Sequence, residues 1–237
     1  MIVFLGDSFT WGQGLQIPYW LQQGKSIDEC NSLMPPHYPA EIYDYHADEY
    51  RKKHHFPNLV AKRFNKSYST KFGNGGSNEN IRDIIRSLGS HMDTSGIDFF
   101  IIQFTELSRD VKLNELISDT KNFNLNSDTD SDFFKGYVES VIDEISNTIF
   151  DYYGKPWYGF SWREDIGEIL EKKYRKNYIS IQYDNKQFNN FDYLIENYAE
   201  LTLAKQFEGI TDGHLNSIGQ EVLANSIIRK IENLNIY

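Results

Sequence analysis

Apolar residues form two kinds of pattern, one typical of strands and one typical of helices, and these follow each other in turn along the chain. Short apolar runs, at residues 2–5 and 97–104, predict strands that are buried on both faces of a parallel sheet. Longer segments with apolar positions three and four apart predict amphipathic helices, as over residues 56–64 and from residue 77 onward. Because strand and helix patterns alternate, we expect an α/β fold with right-handed crossovers.

The same two patterns give the remaining elements. Further strands are predicted at residues 67–72, 156–160 and 178–183. Further helices are predicted at residues 133–149, 165–173 and, as one or two helices, 190–207. A final helix is predicted to begin after an N-cap at Asn216 or Ser217.

Two segments interrupt the alternation. Residues 16–51 contain most of the prolines and many aromatic residues, and they are too long for an ordinary connection. We expect an insertion, part loop and part short helix, over the edge of the sheet; its aromatic side chains either line a substrate cleft or pack the insertion onto the domain. Residues 110–132 are polar and acidic and predict a second, loop-like insertion. Residues 1–237 are predicted to form a single domain.

Composition narrows the range of partners. The 237-residue chain carries a formal charge of −10, which disfavours binding to nucleic acid and to anionic membranes. Its one cysteine, Cys30, excludes an intrachain disulfide and a cysteine-rich metal site. No signal peptide or apolar run of membrane-spanning length is visible in the sequence, so a cytoplasmic protein is expected.

Ser8 directly follows the first predicted strand, after the turn-forming residues Gly6 and Asp7. In an open parallel sheet, ligands and reacting groups collect at the carboxyl ends of the strands. A serine with a base beside it is a nucleophile. The alternative is an ordinary strand-to-helix turn in which Asp7 or Ser8 is the N-cap.

The loop before the last predicted helix carries Asp212 and His214, separated by Gly213. At this spacing the carboxylate can orient one imidazole nitrogen while the other nitrogen faces a hydroxyl. The polar residues 103–109, which leave the strand 97–104, are expected at the same edge of the sheet as Ser8.

Other candidate groups have competing interpretations. The glycine-rich turn 73–78 precedes a helix capped by Ser77 or Asn78, and its free N–H groups suit an anion or an oxyanion. Trp162 either lines a substrate site or packs in the core. The adjacent His54 and His55 are expected at the surface.

Three of these blocks together resemble the SGNH hydrolases, also called GDSL-like esterases. Residues 6–9 (Gly-Asp-Ser-Phe) resemble the first block of the family, with Phe9 in place of leucine. Residues 75–78 (Gly-Gly-Ser-Asn) resemble the second block, and residues 212–216 (Asp-Gly-His-Leu-Asn) the last. The blocks also occur in the family's order along the chain.

The resemblance implies a flavodoxin-like three-layer α/β/α sandwich and a serine ester hydrolase. Ser8 would be the nucleophile, His214 the general base and Asp212 the group that orients the imidazole. The backbone N–H groups of Ser8 and Gly76 would bind the oxyanion. No metal or organic cofactor is implied. The substrates known for the family include lipid esters, thioesters and O-acetyl groups on sugars, and among these a small-molecule or glycan ester, such as an O-acetylated sugar, is the expected substrate. The oligomeric state is left open.

One block departs from the family. Its third block, Gly-x-Asn-Asp, is replaced by Phe-Thr-Glu-Leu-Ser at residues 104–108, so the asparagine of the oxyanion hole is missing. Thr105, Asn78 or Asn74 are the candidate substitutes, and we favour Asn78 because it lies close to Gly76. Losing one such donor typically costs about 2.7–4 kcal/mol of transition-state stabilisation. A catalytically weak or inactive carbohydrate-binding or structural module is therefore the alternative.

Overall fold

The centre of the fold is a four-stranded parallel sheet. A computed structural model of the chain describes residues 1–33, 44–72, 77–105, 128–188 and 196–234. The strands are β1 (Ile2–Gly6), β2 (Tyr68–Phe72), β3 (Phe99–Phe104) and β4 (Trp157–Ser161). Every residue of β1, β3 and β4 is buried, as expected for strands that are covered on both faces.

The order of the strands in the sheet is β2-β1-β3-β4. In this register Ile2 of β1 lies opposite Tyr68 of β2 on one side and Phe99 of β3 on the other. After β2 the chain therefore crosses back over β1 to form β3. Open parallel sheets bind ligands at the carboxyl ends of the strands, where the order reverses in this way. Ser8 follows β1 at this position.

Helices cover both faces of the sheet. They are α1 (Ser8–Trp11), α2 (Ile17–Gln22), α3 (Ile27–Leu33), α4 (Tyr45–His54), α5 (Phe56–Arg63), α6 (Asn78–His91), α7 (Asp128–Tyr153), α8 (Glu164–Lys173), α9 (Leu203–Gln206) and α10 (Ser217–Asn233), with a 3₁₀ turn at Ala199–Leu201. Among these helices and the other described residues, none combines the length and apolar character needed to cross a bilayer.

The side chains of β1 divide the core into two layers. Ile2 and Phe4 pack with α5 and α10 on one face of the sheet. Val3 and Leu5 point to the other face and pack with α6, α7 and α8. The alternation of strand side chains thus produces a three-layer α/β/α sandwich, and the predicted fold class is confirmed.

Two helix starts agree with their predicted caps. Ser77 accepts a hydrogen bond from the Asn80 backbone N–H, and the Asn80 side chain accepts one from the Ser77 N–H. This reciprocal pair is a capping box, and it begins α6. Asn216 accepts a hydrogen bond from the Gly219 N–H at 3.0 Å and begins α10.

The predicted strand at 178–183 differs from the structure. Only Ile181–Tyr183 is a strand, and it pairs antiparallel with Lys186–Phe188 in a separate hairpin. Asp184 and Asn185 have positive φ angles of 49° and 60°, which turn the chain back on itself. Tyr178 forms a single parallel bridge with Gly159, at the place beside β4 where a fifth strand would lie.

The insertion at residues 16–51 is largely helical in its described part. Its helices α2, α3 and α4 form a third apolar cluster around the buried Trp20 and Cys30, which also includes Leu203 and Ile210. Packing onto the domain therefore accounts for Trp20. Of the second insertion, residues 128–132 belong to α7, and residues 106–127 lie outside the described part of the chain.

Candidate active site

Ser8 is the first residue of the short helix α1, immediately after Asp7. The Asp7 side chain is the N-cap of this helix, because its Oδ1 accepts a hydrogen bond from the Phe9 N–H at 3.0 Å. The N-cap alternative thus applies to Asp7 and leaves the Ser8 hydroxyl available for another partner.

The Ser8 hydroxyl and the His214 imidazole meet although 206 positions separate them in the sequence. Ser8 Oγ lies 2.8 Å from His214 Nε2, and His214 Nδ1 lies 2.7 Å from Asp212 Oδ1. An ionised carboxylate can only accept hydrogen bonds, so His214 Nδ1 carries the proton and donates to Asp212. His214 Nε2 then accepts the hydrogen bond from the Ser8 hydroxyl. The three predicted residues are therefore in line for proton transfer from Ser8 to His214.

The Asp212 carboxylate is held by several donors. Besides the imidazole, the His214 backbone N–H donates to its Oδ1 at 2.8 Å, and the Gln13 side chain donates to the same carboxyl group. Burial raises the pKa of Asp212, but the hydrogen bonds from His214 and Gln13 outweigh it and hold the pKa below its usual value. Asp212 is therefore an anion at neutral pH.

Gly14 allows the chain to approach this carboxylate closely. Its φ angle is +85°, and a Cβ at this position would lie 3.0 Å from Asp212 Oδ2 and 2.3 Å from Leu203 Cδ1. Only glycine adopts this conformation without strain and leaves this space open.

Backbone pairing fixes the segment that carries His214. The Leu203 N–H donates to the His214 carbonyl, and the Asn216 N–H donates to the Leu201 carbonyl, both at 2.9 Å. Thr202 and Leu215 form an antiparallel bridge between these two bonds. The imidazole therefore extends from a paired segment and not from an unsupported loop.

A buried amide supports the nucleophile loop from behind. Gln103, at the end of β3, donates to Asp7 Oδ1 at 2.6 Å and accepts from the Thr10 hydroxyl at 2.7 Å. Gly6 leaves room for this contact, because a Cβ there would lie 2.2 Å from Thr10 Oγ1. The sequence placed Gln103 at this edge of the sheet but did not indicate its role.

Aromatic rings enclose one side of the imidazole. The Phe9 ring lies 4.5 Å from the His214 ring and 5.9 Å from the Trp162 ring, measured between centroids. Trp162 is only 7% exposed and also contacts Phe160, which favours the packing interpretation of this tryptophan.

The predicted oxyanion donors are only partly described. Gly76 and Asn74 lie outside the described residues. The buried Asn78 side chain accepts from the Thr105 N–H at 2.9 Å and donates to the Thr105 carbonyl at 3.0 Å. Its amide thus ties the start of α6 to the end of β3, and its role as an oxyanion donor stays a prediction. Within the described part of the chain, the buried Thr105 hydroxyl has no hydrogen-bond partner.

The expectation that His55 lies at the surface is wrong. His55 is 1% exposed, and its Nε2 lies 3.0 Å from the Tyr68 hydroxyl, because it stands at the tightly packed junction of α4 and α5. Burial, together with the neighbouring Arg51 guanidinium, lowers the pKa of His55 from 6.5 to about 3. His55 is therefore neutral in the folded protein.

The lowered pKa of His55 predicts that acid destabilises the folded protein. Between about pH 6.5 and 3 the unfolded chain binds a proton at His55 that the folded chain does not. The free energy of unfolding therefore decreases as the pH is lowered through this range. We expect His55 to contribute up to about 1.4 kcal/mol per pH unit to this loss. Urea denaturation between about pH 7 and 5 measures it.

His55→Asn should flatten this dependence, whereas His46→Gln, at an exposed position of α4, should leave it unchanged. An unchanged slope in the His55 variant would contradict the prediction.

Within the described residues, no group of three or more His, Cys, Asp or Glu side chains is placed to hold a metal ion. The groups that the structure brings together at this site are a hydroxyl, an imidazole and a carboxylate, joined by hydrogen bonds.

Comparisons with known proteins find similarity to solved structures but no match from the sequence. No protein-family model matches the sequence, and no curated protein sequence matches it. A phospholipase A1 from Streptomyces albidoflavus NA297 has 11% sequence identity to this chain and a TM-score of 0.49. An extracellular lipase from Streptomyces rimosus has 12% sequence identity and a TM-score of 0.48. Each of these two alignments covers 98% of both chains. A putative lipolytic protein of the G-D-S-L family from Desulfitobacterium hafniense DCB-2 has 12% identity and a TM-score of 0.44, over 97% of this chain and 98% of that one.

Proposed function

We propose that this chain is a serine ester hydrolase of the SGNH type. The observation that carries the proposal is the continuous line of hydrogen bonds from Ser8 Oγ through the His214 imidazole to Asp212, with links of 2.8 and 2.7 Å. The line stands at the carboxyl end of β1, at the reversal of strand order where parallel sheets bind ligands.

In the proposed reaction, Ser8 Oγ attacks the ester carbonyl carbon while its proton moves to His214 Nε2. The tetrahedral intermediate collapses when Nε2–H protonates the leaving alcohol, which leaves the acyl group on Ser8. Water then attacks the acyl-enzyme with His214 again as the base, and the carboxylic acid is released. Asp212 keeps the proton on Nδ1 and stabilises the imidazolium in both steps.

The oxyanion of each intermediate needs hydrogen-bond donors beside Ser8. We assign this role to the backbone N–H groups of Ser8 and Gly76 and, as the third donor, to Asn78. The support for Asn78 is its position at the start of α6, directly after the glycine-rich turn.

The proposed substrate is a small acyl ester, with the O-acetyl group of a glycan as the first class to test. The support is indirect: the insertion at residues 110–132 is polar, and the sequence shows no long apolar segment suited to a fatty acyl chain. The charge of −10 disfavours nucleic acid and anionic membranes as partners. The proposed mechanism needs neither a metal nor an organic cofactor.

The proposal is tested by labelling the native chain with a fluorophosphonate probe and mapping the modified peptide. The first lysine or arginine is Lys25, so trypsin releases residues 1–25 as one peptide, in which Ser8 is the only serine. We expect the label on this peptide and turnover of p-nitrophenyl acetate. No labelling and no turnover would refute the proposal.

A panel of p-nitrophenyl esters from acetate to laurate, together with acetylated oligosaccharides, tests the substrate class. We expect kcat/KM to be highest for acetate. Binding of glycans without turnover of any ester would instead support the carbohydrate-binding alternative that the missing third-block asparagine suggests.

A further inference from the structure

The insertion contacts the nucleophile side of the site through a buried ion pair in α4. Arg51 donates from Nε and Nη2 to Asp48 Oδ1 at 2.9 and 2.6 Å, and both residues are less than 7% exposed. The same guanidinium donates to the Trp11 carbonyl and lies 4.4 Å from the centroid of the Trp11 ring. Trp11 is the last residue of the helix that begins with Ser8, so Arg51 holds the far end of that helix.

The insertion also contacts the acid–base side of the site. The Asn31 side chain, in α3, donates to the Gly209 carbonyl at 2.9 Å. Its Oδ1 accepts from the backbone N–H of Thr211 at 3.1 Å and from the Thr211 hydroxyl at 3.3 Å. Thr211 immediately precedes Asp212, so one amide fixes the chain directly before the orienting carboxylate.

One apolar cluster joins these two contacts into a single body. The buried side chains of Trp20, Cys30 and Ala47 come from the three inserted helices, and they pack against Leu203 and Ile210. Leu203 pairs through its N–H with the His214 carbonyl, and Ile210 lies two residues before Asp212. The inserted helices therefore pack directly on the segments that carry the acid–base pair.

We propose that helices α2, α3 and α4 form a brace that sets the position of Asp212 and His214 relative to Ser8, with Asn31 and Arg51 as positioning residues. This inference rests on the proposed function, because it concerns the geometry of the same three residues. It assigns to the insertion a structural role in catalysis that differs from lining a substrate cleft.

Such a brace has a physical purpose. Ser8 and His214 belong to opposite ends of the chain, and the proton moves between them only at hydrogen-bonding distance. Misplacement by about 1 Å can lower a catalysed rate about 100-fold. Side chains that hold both segments from one packed cluster limit this misplacement without touching the substrate, so their loss should lower kcat more than it changes KM.

Asn31→Ala is the first variant for the test, because this side chain is partly exposed and its removal leaves no buried charge. We expect kcat for p-nitrophenyl acetate to fall about tenfold with KM changed less than about twofold. Asn58→Ala is the matched control, since Asn58 also donates to a backbone carbonyl, that of Lys53, at 3.1 Å but in α5, on an exposed surface. It should keep kcat within about twofold of the native value.

A second readout needs no substrate. The proton between His214 Nδ1 and Asp212 Oδ1, which lie 2.7 Å apart, should give a far-downfield proton NMR signal, and Asp212→Asn identifies it by removing it. We expect this signal to broaden or shift in Asn31→Ala and to stay unchanged in Asn58→Ala. If the native chain hydrolyses no ester, the proposed function fails, and the NMR signal still decides the positioning role.

Arg51→Lys tests the other end of the brace while keeping a cation beside Asp48. We expect fluorophosphonate labelling of Ser8 to slow about tenfold, because lysine cannot bind both Asp48 and the Trp11 carbonyl with a planar fork. Arg63→Lys, in an exposed pair with Glu232 at 2.7 Å, is its control. The proposal is overturned if Asn31→Ala and Arg51→Lys match their controls in labelling, kcat and NMR signal. It is also overturned if Asn31→Ala lowers kcat but leaves the NMR signal unchanged.

Discussion

Replacing Ser8 by alanine is expected to abolish fluorophosphonate labelling and to lower kcat for p-nitrophenyl acetate by about 10⁴- to 10⁶-fold, as the loss of the nucleophile does in serine proteases. The substitution removes the hydroxyl oxygen, 2.8 Å from His214 Nε2, that forms the acyl-enzyme in the proposed reaction. In the proposed reaction the remaining groups bind and polarise the ester but cannot attack it. Labelling of the peptide 1–25 and steady-state hydrolysis measure the effect.

The fold should tolerate this change. Ser8 Oγ contributes one hydrogen bond to a partly exposed imidazole, so its loss should cost about 1 kcal/mol of unfolding free energy. Ser90→Ala, at an exposed serine near the end of α6 and outside the proposed brace, is the matched control and should keep labelling and activity. Equal labelling of the native chain and the Ser8 variant would show that another side chain is the nucleophile.

The parts of the fold that could be predicted are those set by residues close together in the sequence. The buried strand β1 and the helix starts near Ser77 and Asn216 each depend on residues a few positions apart, so the sequence predicts them. It left Asn78 and Ser217 as alternative caps, and it did not indicate the reciprocal bond from Asn80. The pairing of Ser8 with His214 spans almost the whole chain. It was predictable because each residue borders its own strand or helix and both blocks resemble those of one family.

Contacts between distant polar residues could not be predicted. Gln103 bonds Asp7 and Thr10, and Asn31 bonds Thr211 across 180 positions, but an isolated Gln or Asn has no spacing that indicates its partner. His55 was expected at the surface because the sequence does not show that Tyr68 and Gly12 lie against it in the folded chain. Side chains from separate elements determine these environments, so only the folded chain reveals them.

Asp212→Asn is expected to lower kcat about 10⁴-fold while the fold is retained. The native carboxylate accepts from the His214 imidazole and from the His214 backbone N–H, and its pKa lies below the ordinary value of 3.8, so it is ionised at neutral pH. The amide of asparagine can donate to Nδ1, which favours the tautomer with the proton on Nε2. An imidazole in that tautomer cannot accept the proton of Ser8, so the hydroxyl is no longer activated.

A matched control separates this tautomer effect from damage to the loop. Asp93 accepts from the Ser95 N–H at 2.9 Å in the same two-residue turn that Asp212 makes with His214, but on an exposed surface. Asp93→Asn keeps that turn and should leave kcat unchanged. If Asp212→Asn lowered kcat less than about tenfold, His214 would not depend on the carboxylate for its tautomer, and the activation of Ser8 would have to come from His214 alone.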